Sequence, residues 1–225
     1  MPSPIFQLVA EGRTDIVVLR SLLAGLFNDP NIEVRSLQPD PNAASDRSGG
    51  FGGWQEVLNY LASDRLTKAL PFADFLIIQI DTDICEEYGV LKLESGQMLA
   101  PHVLIERISE KLRGQMGPEV WERYSEHFIF AIPVDSIECW LLAVWGDANR
   151  RNQTQNCLDH LQRSLRKKNE KPLGDKDRRD YERVAKPFRK SGDLIKYRRN
   201  ESLNLFLTSV EAKVAALSEK LVNTP

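Results

Sequence analysis

Acidic residues follow three predicted strands of this 225-residue sequence, directly where each strand ends. They are Glu11 after the first strand, Asp81 and Asp83 after the third, and Asp135 and Glu138 after the fourth. Ligands of an open parallel sheet bind beyond the carboxyl ends of its strands, so these side chains are expected at one edge. Carboxylates gathered there repel one another unless they are protonated or neutralised by a cation. The pattern therefore indicates a site for a divalent metal ion.

Magnesium, or manganese in its place, suits such a site better than zinc does. Mg²⁺ prefers oxygen ligands and is held by few protein carboxylates. Two such ions can clamp a phosphodiester while water attacks it in line. The three histidines, His102, His127 and His160, have no zinc-ligand spacing among themselves or with the cysteines. We therefore expect one or two Mg²⁺ or Mn²⁺ ions.

Some of these carboxylates also have a structural interpretation. Asp15 can favour the positive N-terminus of the first predicted helix. Asp135 and Glu138 can form a capping box around a helix that starts near Ser136. The pair Asp81-x-Asp83 is harder to explain in this way, because it directly follows a buried strand. At the level of sequence both interpretations stay open for Asp15, Asp135 and Glu138.

The elements that must position these residues alternate between strands and helices. Apolar runs predict strands at residues 5–10, 31–37, 75–80 and 128–132. Helical spacing, with Thr14 as the first cap, predicts helices after residue 14 and at 54–66, 103–112, 136–145 and 203–221. Residues 38–53 form a loop rich in glycine and proline. This order predicts an α/β fold, a mainly parallel four-stranded sheet flanked by helices.

Charge is distributed unevenly along the chain. Residues 150–200 hold 17 Lys plus Arg against 7 Asp plus Glu, although the whole chain has a net charge of -2. We predict an α/β domain at residues 1–147 and a basic helical extension at 148–225 that packs on it. The basic residues either contact a phosphate backbone or form a solvated helical face. The candidates for backbone contact are Lys186, Arg189, Arg198 and Arg199.

Composition excludes several classes of protein. Apolar residues make up 42% and charged residues 28%, as in globular proteins, and no apolar run reaches the roughly 18 to 20 residues of a membrane helix. We expect a cytoplasmic protein without a membrane segment. The three cysteines, Cys85, Cys139 and Cys157, are widely spaced, so we expect them to be reduced and buried. Apolar residues of the last helix, such as Leu203 and Phe206, serve either the core or an interface for self-association.

Two motifs resemble the Toprim domain of topoisomerases, bacterial primases, small ribosomal-RNA maturation nucleases and the overcoming-lysogenization-defect nucleases. They are Val9-Ala10-Glu11-Gly12-Arg13-Thr14-Asp15 and Ile80-Asp81-Thr82-Asp83, each after an apolar strand. The resemblance implies a Rossmann-like fold in which Glu11 is an acid/base or metal-linked group and Asp81 and Asp83 hold magnesium. It also implies a further metal ligand at Asp15.

Later segments resemble small stand-alone Toprim-like proteins that are linked with ATPases in bacterial defence loci. Residues 133–142, Pro-Val-Asp-Ser-Ile-Glu-Cys-Trp-Leu-Leu, imply a further metal ligand at Glu138. The segment Phe188-Arg189-Lys190-Ser191-Gly192 implies that Lys190 is a catalytic lysine that stabilises phosphate charge. The glycine-rich residues 49–54 fit the loop before the second helix. Neither an active-site tyrosine motif of topoisomerases nor a zinc-binding primase module is evident.

These observations lead us to expect a Mg²⁺-dependent nuclease that cuts DNA or RNA, as an antiphage effector acting with an ATPase partner. The alternative is a regulatory subunit that binds nucleic acid or a nucleotide without cutting it. Phosphoryl transfer on a small substrate is a third option, but the basic extension favours a nucleic-acid substrate instead.

Overall fold

Four parallel strands form the central sheet of the part of the chain that the structure describes, residues 3–40 and 52–222. In this computed structural model, the strands in chain order are β1 (Phe6–Val9), β2 (Val34–Gln38), β3 (Phe75–Gln79), the hairpin strands β4 (Leu93–Glu94) and β5 (Gln97–Met98), and β6 (Phe128–Ala131). The sheet has the order β2-β1-β3-β6, and each neighbouring pair is parallel. The predicted α/β fold with a four-stranded parallel sheet is confirmed.

Helices cover both faces of this sheet. In chain order they are α1 (Arg13–Leu26), α2 (Trp54–Leu61), α3 (Asp64–Ala69), α4 (Pro101–Met116), α5 (Pro118–Tyr124), α6 (Ile137–Trp145), α7 (Cys157–Lys167), α8 (Arg178–Ala185), α9 (Ser191–Tyr197) and α10 (Glu201–Val222). Short 3-10 helices lie at Leu70–Phe72, Ser125–His127, Ala148–Arg150 and Lys186–Arg189.

The strands divide the core into two layers because successive side chains point to opposite faces. Phe6 and Leu8 of β1 pack with α1, α6 and the helices of the C-terminal third. Val9 of β1 packs instead with Ile78 of β3 and with α2 and α4. Both faces are buried, which explains why the strands appear in the sequence as continuous apolar runs.

The C-terminal third contributes residues to the core and is not a loose appendage. Tyr181, Val184 and Phe188 are buried in the layer that contains α1. A Cβ added to Gly25 of α1 would lie 1.8 Å from the Phe188 carbonyl oxygen, so the 3-10 helix at 186–189 touches the end of α1 directly. Leu203 and Phe206 were predicted to serve either the core or an interface for self-association. Both are buried, so the structure shows that they pack in the core.

The structure differs from the sequence expectations in several local features. Gly12, not Thr14, precedes the first turn of α1 as its N-cap. The helix predicted at 54–66 is divided into α2 and α3 by a break at residues 62 and 63. The hairpin β4–β5 and helix α5 were not predicted. Most of the glycine-rich loop lies at residues 41–51, outside the described residues.

The expectation that all three cysteines are reduced is wrong. Cys139 on α6 and Cys157 at the start of α7 form a disulfide, with their Cα atoms 5.0 Å apart. Cys85 is a free thiol, and all three residues are buried as expected. The packing of α7 on α6 brings together two cysteines that sequence spacing does not pair. Within the described ranges, no helix has both the length and the apolar character of a membrane span.

Candidate functional site

Backbone hydrogen bonds connect the loops that follow β1, β3 and β6 at one edge of the sheet. The Glu11 carboxylate accepts a hydrogen bond from the Asp81 N–H, with 2.6 Å between Oε1 and N. The N–H groups of Thr82 and Asp83 donate to the carbonyl oxygen of Asp135 at 3.0 and 2.9 Å. Asp135 in turn donates its N–H to the Thr82 hydroxyl at 2.7 Å. The three loops are therefore held together, as the ends of parallel strands predict.

A buried glutamine fixes the spacing between Glu11 and Asp81. The side chain of Gln79 is fully buried at the end of β3. Its amide oxygen accepts from the Glu11 N–H at 3.0 Å, and its amide nitrogen donates to Asp81 Oδ1 at 2.8 Å. The sequence carried a signal for this residue, because Gln79 is the one polar residue within an apolar strand.

Two glycines let the start of α2 approach Glu11 closely. The Gly53 N–H donates to the Glu11 carbonyl oxygen at 2.8 Å. A Cβ on Gly52 would lie 2.6 Å from that same oxygen, which is too close for any side chain. The Trp54 N–H also donates to the Glu11 carboxylate. The N-terminus of α2 therefore faces the carboxylate, where its partial positive charge favours the ionised form.

Asp15 is both a helix-end residue and a member of the acidic cluster. It lies in the first turn of α1 and accepts a hydrogen bond from the Gly12 N–H. Its side chain is buried close to Glu11 and Glu138, which both raise its pKa. A Cβ on Gly12 would lie 2.9 Å from Asp15 Oδ2, so this glycine leaves room for the carboxylate. The two interpretations left open by the sequence are compatible for this residue.

Glu138 is bonded to a tyrosine of the C-terminal third instead of closing a capping box. The Tyr181 hydroxyl of α8 donates to Glu138 Oε1. Ser136 is the N-cap of α6 and makes no side-chain capping hydrogen bond. Nothing in the local spacing of the sequence pairs Tyr181 with Glu138, since they lie 43 residues apart.

Asp135 joins the acidic loops to the disulfide. Its backbone has a φ of +73°, in the left-handed region that residues other than glycine rarely adopt. Its Oδ2 accepts from the Cys157 N–H at 3.4 Å and lies 3.8 Å from Cys139 Sγ. Strained backbone of this kind is concentrated at functional sites.

Burial and mutual repulsion raise the pKa values of the clustered carboxyl groups. The pKa of Glu11 rises to about 7, mainly because of burial, with a further increase from Asp83 and opposition from the Asp81 N–H. Burial raises the pKa of Asp81 well above its usual range, and Asp15 and Glu11 add to this effect. Burial also raises the pKa of Asp15, Asp83 and Asp135. The ionised forms of these carboxyl groups are therefore costly, and a bound cation would favour them.

Two lysines that the sequence did not single out lie beside this cluster. Lys176 is an exposed residue of the loop before α8, and it lowers the pKa of Glu11 and Asp15. Asp180 fixes this loop by accepting the Gly174 N–H at 2.8 Å. Lys92 donates to the Asp83 carbonyl oxygen. Both lysines come from loops, where sequence periodicity gives no information about side-chain position.

Lys190 is not brought to the acidic cluster. It follows the 3-10 helix whose Phe188 carbonyl touches Gly25 near the end of α1, whereas Asp15 lies in the first turn of that helix. Ten residues of helix correspond to about 15 Å. Lys190 is exposed there as the N-cap of α9.

The four predicted nucleic-acid contacts occupy different environments. Lys186 and Arg199 are exposed. Arg189 is exposed and donates to the Ser21 hydroxyl at 3.4 Å. Arg198 forms an ion pair with Glu211 and bonds to Asn204 and Thr208 on α10, so its charge is used within the fold.

The donor chemistry of the cluster fits a hard divalent cation. All of its side-chain ligand atoms are carboxylate oxygens, and a cation would offset both the burial and the mutual repulsion that raise their pKa values. The carboxylates are not gathered into one coordination sphere. In the described part of the chain, the side chains with metal-ligand atoms all within 4.8 Å of one another are Asp135, Cys139 and Cys157, and the two sulfurs belong to the disulfide. Metal binding would therefore need rotation of Glu11, Asp81 or Glu138 away from their hydrogen-bond partners.

Comparisons of the chain with protein-family models, with curated proteins and with solved structures gave no match.

Proposed function

We propose that the protein is a Toprim-like nuclease that hydrolyses phosphodiester bonds of DNA or RNA with Mg²⁺ or Mn²⁺. The observation that carries this proposal is the convergence of Glu11, Asp81 and Asp83 at the carboxyl edge of a parallel sheet. Asp15 and Glu138 add to the same electrostatic cluster. So many carboxylates in a partly buried position are costly without a cation, which supports metal binding.

The residues have distinct proposed roles. Glu11, Asp15, Asp81, Asp83 and Glu138 would hold one or two ions, which supply neutralisation of phosphate charge and polarisation of the attacked bond. Glu11 would carry a proton, since a carboxyl group with a pKa of about 7 exchanges protons near neutral pH. Lys176 would contact the phosphate, because it is the exposed cation beside Glu11 and Asp15. The catalytic role of Lys190 rests on the resemblance alone.

A cleavage assay tests this proposal directly. The purified protein is incubated with plasmid, single-stranded DNA and structured RNA in the presence of Mg²⁺, Mn²⁺ or EDTA. Cleavage is expected only with a metal ion, and it should be lost in an Asp81→Asn plus Asp83→Asn variant. Asp64→Asn is the matched control, because Asp64 is an exposed carboxylate on α3 that pairs only with Lys68. Equal cleavage by the double variant and the wild type would refute the assigned site.

The wider setting of this activity is also a proposal. The resemblance to stand-alone Toprim-like proteins supports a cytoplasmic antiphage effector that acts with an ATPase partner and associates with copies of itself. Co-expression with a candidate ATPase partner, followed by size-exclusion chromatography, tests the partner and the oligomeric state together. Elution of both proteins at their separate positions would count against the complex.

One observation favours a subunit that binds nucleic acid without cutting it. Glu11, Asp81 and Glu138 each use a carboxylate oxygen in a hydrogen bond to the protein. A cluster satisfied in this way is stable without an ion if some of its members are protonated. This alternative predicts nucleic-acid binding that is the same with EDTA as with Mg²⁺, and no product with any substrate.

A further inference from the structure

Two arginines line a pocket on the β2 side of the sheet, away from the acidic cluster. The pocket has a volume of about 240 Å³ and is lined by Arg20, Ala24, Pro30, Ile32, Val34 and Arg189. Arg20 and Ala24 belong to α1, and Arg189 ends the 3-10 helix at 186–189. The rest of the lining is apolar, so the two guanidinium groups determine which ligand the pocket can take.

The charge of Arg20 is only partly satisfied by the protein. One of its terminal nitrogens donates to the Val34 carbonyl oxygen at 3.1 Å. Its Nε is buried and has no hydrogen-bond partner. Within residues 3–40 and 52–222 no carboxylate forms an ion pair with Arg20. Burial lowers its pKa, the nearby Arg178 guanidinium lowers it further, and the Glu182 carboxylate opposes both. A partly buried cation with an unused donor is costly unless an anion occupies the space beside it.

Arg189 lines the same pocket, and its charge, like that of Arg20, is not paired with a carboxylate of the described residues. Its Nε donates to the hydroxyl of Ser21, the residue after Arg20 on α1, at 3.4 Å. No ion pair with a carboxylate is found for it in the described chain. Arg178 and Arg183 differ in this respect, since Arg178 pairs with Glu182 and Arg183 pairs with Glu170.

In a larger pocket at the opposite edge of the sheet, the cationic side chains already have partners. It lies between β6, α4 and α10 and has a volume of about 410 Å³. Arg113 of this pocket also has a buried Nε without a hydrogen-bond partner. Its charge is paired with Glu106, however, and Lys213 donates to the carbonyl oxygens of Ser125 and Glu126. An anion would therefore gain more in the pocket of Arg20 and Arg189.

We propose that Arg20 and Arg189 together bind one phosphate group of a nucleic-acid backbone. This inference rests on the proposed function, which it extends by naming where the strand lies outside the acidic cluster. Two guanidinium groups suit phosphate because each presents several donors in a planar arrangement. The volume of about 240 Å³ is enough for a phosphate and part of the adjoining sugar.

The position of the pocket agrees with a strand that also reaches the acidic cluster. Arg20 lies five residues after Asp15 on α1, about 7.5 Å along the helix axis and about 140° around it, so a strand that meets both residues must follow the surface of the helix. This axial distance corresponds to roughly two nucleotide steps of a helical strand. Lys176 lies beside Asp15, and Arg178, which pairs with Glu182, lies beside Arg20.

Binding of fluorescein-labelled single-stranded DNA and RNA oligonucleotides, followed by anisotropy in EDTA, tests the proposal separately from cleavage. We expect the Arg20→Gln plus Arg189→Gln variant to bind about tenfold more weakly or worse. The slope of log affinity against log salt should fall by about 0.7, as for one lost phosphate contact. The control is Arg123→Gln, an arginine of α5 at the β6 edge that stacks on Tyr124, and it should bind like the wild type.

Circular dichroism checks that each variant is folded, and Arg189→Gln alone provides a second variant at an exposed position. Unchanged affinity and salt slope in folded variants would overturn the proposal, as would a wild type that binds neither oligonucleotide. A third outcome is that inorganic phosphate raises the melting temperature of the wild type but not of the Arg20 variant, while the arginine substitutions leave oligonucleotide binding unchanged. This outcome would assign the pocket to a small phosphate compound and overturn the backbone assignment. Arginine-dependent oligonucleotide binding by a protein that cleaves nothing with Mg²⁺ would support the phosphate site and refute the nuclease.

Discussion

Replacement of Glu11 by glutamine should change how the stability of the protein depends on pH. Glu11 has an ordinary pKa of 4.5 that folding raises to about 7. Between these two values the folded state binds a proton that the unfolded state has released. The free energy of unfolding therefore falls as pH rises through this window. A difference of about 2.5 pKa units corresponds to roughly 3 kcal/mol, the part of the pH dependence that Glu11→Gln should remove.

Urea unfolding at pH 5 and pH 8, followed by tryptophan fluorescence, measures this effect. The wild type should lose at least roughly 2.5 kcal/mol between the two pH values, because part of the Glu11 effect is already present at pH 5, and Asp15 and Asp81, whose pKa values are also raised, add a loss of the same sign. Glu11→Gln should lose about 2.5 kcal/mol less and should be the more stable protein at pH 8. Glu110→Gln, at an exposed position of α4, should follow the wild type.

Two results would refute this reasoning. One is a wild type that is as stable at pH 8 as at pH 5, which would mean that folding does not raise the pKa values of the buried carboxyl groups. The other is a Glu11→Gln variant whose stability falls in parallel with that of the wild type. Adding Mg²⁺ at about 100 times its dissociation constant should restore about 2.7 kcal/mol at pH 8 if the cluster holds the ion.

Three further substitutions test contacts around the site by urea unfolding. Gly52→Ala should destabilise the protein by about 1 to 3 kcal/mol, because its Cβ would lie 2.6 Å from the Glu11 carbonyl oxygen. The control is Gly114→Ala on α4, whose Cβ meets nothing within 4 Å and which should stabilise the protein by up to about 1 kcal/mol. Tyr181→Phe should cost about 1 to 2 kcal/mol, since Glu138 loses its donor; no loss would mean that the bond contributes nothing. Cys139→Ser should cost about 3 kcal/mol for the loop of 18 residues, and a reductant should then have no further effect.

The fold and the acidic edge could be predicted from the sequence because both depend on local patterns. Continuous apolar runs mark strands buried on both faces, and parallel strands bring their carboxyl ends to one edge. Glu11, Asp81 and Asp83 follow such runs directly, so their approach needed no knowledge of distant packing. The Asp81 N–H donating to Glu11 is the contact that this reasoning implies.

The partners supplied by the C-terminal third could not be predicted in the same way. Tyr181 reaches Glu138 because α8 packs on α1, and that contact depends on how helices far apart in the chain fit together. The disulfide between Cys139 and Cys157 has the same origin. A lysine near the site was expected from a short motif at Lys190, whereas the fold brings Lys176 there on a loop fixed by Asp180.

These long-range contacts make the acidic edge dependent on the basic third. Glu138 relies on Tyr181 for its hydrogen bond, and Glu11 and Asp15 have Lys176 as a nearby cation. A chain that ended at residue 147 would lose both groups and would expose the face of α1 that Tyr181 and Phe188 cover. The carboxylates would then keep their mutual repulsion without the charge that partly offsets it. Under the proposed function, the unit that would bind a cation and a phosphate is therefore the α/β layer together with α8, and the predicted boundary at 147 would divide the residues of one site.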